Sequence, residues 1–287
     1  GFIGKSLLNH LIYKFNFDIK KIILIEKEDF KNCNQLKIKL KNCDIIFHFA
    51  GVNRHDDSGF LYEENIRLST SLVKNISKNT KTIIFASSIQ QNFDNPFGKS
   101  KLKCKQIFDD WAIKNKSSFI NLKIPNVFGP FGKPNYNSFI ATFCYNLVNN
   151  IKCKANNDND INLLYIDDCI SKITSTIFKI IDSPNEIFHQ EISNFEFLEN
   201  SSVNKILNIL KNQWYDYTNN IIPNISSKLE YNLFNTLRSF IDYNHYFPVC
   251  LKKNKDQRGF FSEIIKTKGQ GQFSISTSMG GVTRGNH

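Results

Sequence analysis

The run Thr82-Ile83-Ile84-Phe85-Ala86-Ser87-Ser88, followed a short way on by Pro96-Phe97-Gly98-Lys99-Ser100-Lys101, decides the fold. The first part is apolar and β-branched, the composition of a buried strand, and it ends in two hydroxyls. The second opens a helix and sets an aromatic residue and a lysine four positions apart, on one helical face. A serine at a strand's carboxyl end, with such a helix after it, places three side chains at the crevice where α/β sheets bind ligands.

Outward from that run the chain alternates helix-period and strand-like segments. Apolar positions at 7, 8, 11, 12 and 15 make a helical stripe over Lys5 to Phe15, and Lys21 to Ile25 is a short β-branched run. Leu36 to Leu40 reads as helix, Asp44 to Ala50 as strand, Asn65 to Ile76 as helix, Lys101 to Ile113 as helix and Phe119 to Ile124 as strand. Buried strands joined by crossover helices predict a doubly wound parallel α/β sheet covered on both faces. After Pro125 a Gly/Pro/Asn-rich stretch runs to Asn137, and long irregular segments in such domains usually carry binding function. A helix over Ser138 to Asn149, a strand and helix from Ile161, and stripes at Val203 to Leu210 and Leu229 to Ile241 follow. From Val249 the sequence is Gly-punctuated and strand-like, as at the start of an all-β domain.

Composition narrows the function classes. The chain has 287 residues, 41% of them hydrophobic, which suffices for a sizeable core. No apolar run approaches the roughly 20 residues of a membrane helix, so no membrane partner is expected. Net charge is +11, but the lysines are scattered, without a run of five or six and without a finger or RNA-binding signature. The charge therefore reads as a solvated basic surface rather than a nucleic-acid site. The seven cysteines include no Cys-x-x-Cys pair and fit neither a disulfide framework nor a zinc site. A reducing cytoplasm fits that usage. Gly1 stands where a methionine would, and no secretory signal follows, so the chain reads as beginning partway through something.

Several further residues carry chemistry. Gly1-Phe2-Ile3-Gly4 before a helix is either an ordinary turn or the latter part of a dinucleotide turn, in which backbone N–H groups approach a pyrophosphate. The end of the strand at Phe49-Ala50-Gly51-Val52-Asn53 is small enough for backbone to lie against a flat cofactor ring or ribose. After the second β-branched run come Glu26 and Lys27; a carboxylate there favours NAD and a cation NADP, and both are present. Asp167-Asp168 after Tyr165 reads as helix N-capping rather than as a catalytic pair.

Taken together these segments resemble an extended short-chain dehydrogenase/reductase of the nucleotide-sugar epimerase/dehydratase type. More closely, the chain is similar to the bifunctional capsular-polysaccharide enzymes that join such a reductase domain to a C-terminal cupin. The resemblance rests on His48 to Arg54, Ser87-Ser88-Ile89-Gln90, Asp94 to Lys101, Pro125 to Gly129, Lys133 to Tyr145, Tyr165 to Asp168 and Arg258 to Glu263, and spans essentially the whole chain. It implies a Rossmann-type domain over residues 1–245 with its first strand missing, and the start of a cupin over 246–287. In a 3-2-1-4-5-6 sheet the first strand is central, so its absence predicts a gap or collapsed seam between the second and fourth strands.

The resemblance also assigns roles. Gly1 and Gly4 match the second and third glycines of a Gly-x-x-Gly-x-x-Gly turn. It implies NADPH, with NAD as the other candidate, held by Gly1, Phe2, Ile3, Gly4, Lys27, Phe49, Ala50, Gly51, Asn53 and Lys101. Ser88 would orient the substrate carbonyl. Position 97 is a proton-donating tyrosine in the family, and here it is Phe97, which has no proton to give. Asn126, Lys133, Asn135 and Tyr136 lie where relatives grip the UDP-sugar, although turn chemistry explains such residues in a loop as well. Thr283-Arg284-Gly285-Asn286-His287 matches the entry to the cupin metal motif, with His287 the first ligand of a zinc that only the complete cupin would hold. The expected activity is NADPH-dependent C4 reduction of a UDP-4-keto-6-deoxy sugar, with C3 epimerisation by the cupin of a longer parent, and a second copy of the chain as partner in a homodimer. The rival reading, from Phe97, is a non-catalytic nucleotide-binding scaffold.

Overall fold

A computed structural model describes residues 1–155, 158–196, 198–269 and 271–282. In chain order the elements are helices α1 (Phe2–Tyr13) and α2 (Cys33–Leu40), strand β1 (Ile45–His48), α3 (Ser58–Asn75), β2 (Thr82–Ser88), α4 (Pro96–Asn115), β3 (Ser118–Ile124) and β4 (Asn126–Phe128). There follow α5 (Phe139–Val148), β5 (Asp160–Tyr165), α6 (Ile166–Asp182), β6 (His189–Ile192), β7 (Glu199–Ser202), α7 (Val203–Thr218), β8 (Ile221–Ile222) and α8 (Lys228–Arg238). A single turn, α9 (Tyr243–Tyr246), precedes strands β9 (Asn254–Asp256), β10 (Gly259–Thr267) and β11 (Gln272–Ser278). Two compact units result: Gly1–Phe128 with Tyr136–Ser138 and Asn162–Asn200, and the remainder.

In the first unit β1, β2, β3 and β6 form a parallel sheet in that order. One rung crosses all of it, His48 beside Phe85, Phe85 beside Asn121 and Asn121 beside Glu191. Residues in one rung project from the same face of a sheet, and here helices α3 and α4 cover that face with Leu68, Leu72, Phe108 and Ala112. Both helices begin on side-chain caps. Asp57 Oδ1 accepts from Gly59 N at 2.8 Å, and Asn95 Oδ1 accepts from Gly98 N at 2.7 Å with Pro96 next to it. Helix α4 stops where Lys116 turns to φ 53°.

The run Lys21 to Ile25, read above as a strand, is not one. A 3-10 turn occupies Ile19–Lys21, Ile22 after it is extended, and residues 22–26 have no ladder partner among the described residues. A strand is defined by its neighbour, and β1 is the last strand on that side of the sheet. Ile23 and Leu24 are consequently 45% and 57% exposed despite their β-branched and apolar character. The converse also occurs. β6 has the polar sequence His189-Gln190-Glu191-Ile192, with no hydrophobic alternation, and is a strand because β3 pairs with it.

In the second unit α5, α7 and α8 bury Ile140, Phe143, Ile206, Leu210, Leu233 and Leu237. The Gly-punctuated tail forms the expected strands: β10 is antiparallel to β9 and β11, and it also runs parallel to β8 at Ile221 and Ile222. Lys268 closes this arrangement with an ion pair to the buried Asp216 at 2.7 Å. Cys33 and Cys250 are exposed, whereas Cys104, Cys144, Cys153 and Cys169 are buried.

Candidate active site

The carboxyl ends of β1 and β2 and the first turns of α4 bring several of the sequence-derived residues together. Lys101 is only 6% exposed, and its Nζ donates to the Ala86 carbonyl of β2 at 3.0 Å. The same nitrogen lies 5.0 Å from the centre of the Phe85 ring and 5.5 Å from that of Phe97, one helical turn before it. An ammonium has three N–H donors, so two remain beyond the bond to Ala86. Burial pushes the Lys101 pKa down to about 8, against a smaller opposite influence of Cys104.

Gly51 lies against this ammonium. A Cβ added there would stand 3.4 Å from Lys101 Nζ and 3.0 Å from Asn65 Oδ1, so only glycine leaves the space open. Asn65 is the residue that sequence reasoning missed. Its Oδ1 accepts from Val52 N at 2.7 Å, and its Nδ2 donates to Val52 O and to Ser100 Oγ, each at 3.0 Å. Ser100 Oγ in turn donates to Phe97 O at 2.7 Å. One amide thus fixes the Gly51–Val52 backbone to the helix that carries Phe97 and Lys101. The available signal was a polar residue inside the buried stripe Leu61, Asn65, Leu68, Leu72 of α3. Asn65→Leu is expected to strand the Val52 and Ser100 polar groups and to lower stability by about 1–3 kcal/mol, measured by urea unfolding. A change within experimental error would show that water replaces the amide.

On the sheet side of the site sits His48, fully buried, packed between Phe85 at 5.8 Å and Phe108 at 5.2 Å. Burial, and then the nearby Lys101 charge, lower its pKa from 6.5 to about 3. The unfolded chain therefore takes up a proton near pH 6.5 that the folded chain refuses until about pH 3, and stability is lost as pH falls through that window. The expected slope is about 1.4 kcal/mol per pH unit below pH 6.5. His48→Phe should flatten it in thermal unfolding between pH 5 and 6.5; an unchanged slope would place the titrating group elsewhere.

The remaining predicted residues are placed as follows. Helix α1 starts at Phe2, so Gly4 lies within it rather than before it, and a Cβ on Gly4 would stand 3.6 Å from the Phe49 ring. Gly1 is the N-cap of α1 and contributes no side-chain cap, while Phe2 and Ile3 are half-buried in the first turn. Ala50 is exposed and Asn53 half-buried in the segment after β1. Ser88 ends β2 and its Oγ accepts from Gln90 N at 3.2 Å, which caps the 3-10 turn Ile89–Asn92. Lys27 is exposed, in the turn before Asp29. Asn126 is exposed on β4 and Tyr136 also belongs to the first unit, whereas Lys133 and Asn135 fall in the second. Asn135 takes φ 53° and its backbone N–H donates to Thr142 Oγ1 at 2.9 Å, the turn chemistry weighed above. Asp167 and Asp168 lie in the first turn of α6 instead of at its cap, which is Tyr165, and there they favour the helix dipole. His287 lies outside the described residues, among which no group of three or more His, Cys, Asp and Glu could hold a metal. No described helix is long and apolar enough to cross a membrane.

Beside Ser88 a second polar cluster, also missed, ties three strand ends together. Ser87 Oγ donates to Gln91 Oε1 at 2.6 Å, and Gln91 Nε2 and Asn121 Nδ2 donate to Glu191 Oε2 at 3.1 and 2.9 Å. Lys123 pairs with the other Glu191 oxygen at 3.1 Å. Burial alone would raise the Glu191 pKa; the hydrogen bonds from Lys123, Asn121 and Gln91 outweigh it and hold the carboxyl below its usual range.

The chain is 31% identical, over 295 aligned residues, to UDP-2-acetamido-2,6-beta-L-arabino-hexul-4-ose reductase of Pseudomonas aeruginosa, a match covering all of this chain and 75% of that protein. Its structure superposes on the crystal structure of the capsular polysaccharide assembling protein CapF from Staphylococcus aureus with a TM-score of 0.73 and 28% identity, again over all of this chain and 75% of the other. UDP-N-acetylglucosamine 4-epimerase from Methanobrevibacter ruminantium shares the fold, with a TM-score of 0.61, 18% identity, and 84% and 95% of the two chains covered. Residues 254–287 match the polysaccharide biosynthesis C-terminal domain. Residues 1–194, which hold the whole parallel sheet and the Lys101 site, match the NAD dependent epimerase/dehydratase family, and the chain belongs to that family.

Proposed function

We propose that this protein is a cytoplasmic nucleotide-sugar reductase that uses NADPH to reduce the C4 ketone of a UDP-4-keto-6-deoxy-N-acetylhexosamine. The product on this reading is UDP-2-acetamido-2,6-dideoxy-L-talose, a precursor of N-acetyl-L-fucosamine for capsular polysaccharide or O-antigen. The observation that carries the reading is the buried Lys101 ammonium, with two N–H groups left, beside a Gly51 whose missing side chain keeps the space over it open. That cradle fits the ribose of a nicotinamide dinucleotide, and the α1 N-terminus at Gly1, with no side-chain cap on its first N–H groups, fits the pyrophosphate. The Pseudomonas aeruginosa relative is by name a reductase of a UDP-linked hexulose, and CapF is a capsular-polysaccharide protein; both support the substrate class.

A bound reduced nicotinamide supplies hydride. The chain's own residues do the rest: Asn65 holds Gly51 and Val52, Ser88 Oγ orients the ketone oxygen, and Asn126 and Tyr136 of the first unit bind the UDP-sugar. The exposed Lys27 is the residue for the 2′-phosphate that separates NADPH from NADH. Strands β9 to β11 belong to a cupin, which would hold zinc and catalyse the C3 epimerisation, and the working unit is a homodimer. A second reading rests on Phe97, which lacks the phenol that would protonate the ketone: the domain would then bind nucleotide as a scaffold only.

Calorimetric titration with NADPH and NADH, followed by NADPH absorbance after adding the UDP-4-keto sugar made by its dehydratase, tests both readings. Tight NADPH binding with loss of absorbance and a C4-reduced product is expected. Binding without turnover leaves the scaffold, and absence of nucleotide binding removes both.

A further inference from the structure

Reducing a ketone takes a hydride on carbon and a proton on oxygen, and Phe97 supplies no proton. Among the described side chains at the ends of β1 and β2 and the start of α4, the Ser87 and Ser88 hydroxyls are far too weak as acids, the Cys104 thiol has its pKa raised by burial, and the Lys101 ammonium remains as the proton donor. We propose, resting on the reductase reading, that the Lys101 ammonium is itself the acid that protonates the ketone oxygen in this chain. The geometry sets it apart from an ordinary structural lysine. Nζ is buried, faces the ring of Phe97 at 5.5 Å, and spends one N–H on Ala86. No carboxylate pairs with it among the described residues, and the bond it makes goes to the neutral Ala86 carbonyl. Loss of that proton relieves a buried charge, which makes the donor stronger than a solvated lysine by the same physics that lowers its pKa.

The balance is simple. The hydride and its electron pair form the new C–H bond, the C=O π pair moves to oxygen, and an N–H bond of Lys101 breaks with its pair left on nitrogen as O–H forms. Reduced nicotinamide is oxidised by two electrons, and the neutral amine takes a proton back from water. The titratable groups packed against Nζ are His48 of β1 and Cys104 of α4. Burial holds His48 neutral down to about pH 3 and raises the Cys104 thiol, so between pH 7 and 9 the charge change belongs to Lys101.

Three variants of the chain, Lys101→Arg, Phe97→Tyr and the two combined, test this. The readouts are NADPH affinity by nucleotide fluorescence, single-turnover oxidation of NADPH by the UDP-4-keto sugar from pH 6 to 10, and an NMR titration of 13C-methylated lysines with Lys101→Arg as the assignment control. Arginine keeps the cation and cannot release its proton. The expectation is weaker NADPH binding in Lys101→Arg, since Lys101 also belongs to the ribose cradle, so rates are compared at saturating NADPH: reduction about 100-fold slower at pH 7, and substantial recovery of rate in the double variant, where a phenol takes over. The rate of the natural chain falls tenfold per pH unit above about 8, and a methyl signal lost in Lys101→Arg titrates there. A rate flat to pH 9, or Lys101→Arg as fast as the natural chain, overturns the proposal. If Phe97→Tyr turns over and the natural chain does not, the reductase chemistry stands and Lys101 is not the acid. Should no variant reduce the ketone although all bind NADPH, the reductase reading itself fails and takes this role of Lys101 with it.

Discussion

Phe97→Tyr is expected to raise the single-turnover rate of ketone reduction by about 100-fold, with little change in KM for the UDP-sugar. The ring at 97 already sits one helical turn from Lys101, with Nζ 5.5 Å from its centre, so a hydroxyl added at the ring's far end is within the field of that cation. A neighbouring ammonium favours the ionised phenol and brings its pKa down from about 10 toward the working range. A positioned acid of that kind contributes about 10²–10⁴ in rate; the lower figure applies because Lys101 is already a donor of protons to the same oxygen. The pH dependence should change with the rate, since the acid is now a phenol and Lys101 stays charged. An increase of less than twofold would place position 97 away from the reacting oxygen.

The second large effect concerns folding. Gly98 follows Phe97 on α4, and a Cβ there would stand 2.1 Å from the Gln90 carbonyl oxygen and 2.7 Å from that of Phe93, both backbone atoms. No rotamer change relieves such a clash; the 3-10 turn Ile89–Asn92 or the helix start has to move. Gly98→Ala should therefore lower stability by about 3 kcal/mol or more, at the upper end of what overpacking does. Because that turn carries Ser88 at one end and the Asn95 cap at the other, nucleotide affinity and turnover should fall with it. Urea unfolding with an unchanged m-value and a midpoint shift of that size is the check; a loss under 1 kcal/mol would show that the turn withdraws freely.

Much of the parallel sheet was legible in sequence because β2 and β3 are largely buried on both faces and carry the apolar runs Ile83-Ile84-Phe85-Ala86 and Phe119-Ile120 with Leu122 and Ile124. The failures have one cause. Strand identity is a pairing property, so the apolar Lys21 to Ile25 is no strand without a neighbour and the polar His189 to Ile192 is one with it. At the candidate site, Ser88, Phe97 and Lys101 could be singled out in the sequence because helical spacing and strand ends are local. Asn65 and Glu191 were not, since their partners lie 35 and 70 residues away in sequence, at Ser100 and Asn121. Such contacts exist only after the chain has folded.

The distribution of thiols has a practical outcome. Cys33 and Cys250 stand ready for an alkylating reagent in the native state, while Cys104 and Cys169 in the first unit and Cys144 and Cys153 in the second are shielded. Burial also pushes those four toward the unreactive protonated thiol, Cys169 to about 12. Each shielded sulfur is modified only when its own surroundings open, so the order in which mass increments accrue ranks the local opening free energies of α4, α6 and α5 without any added label.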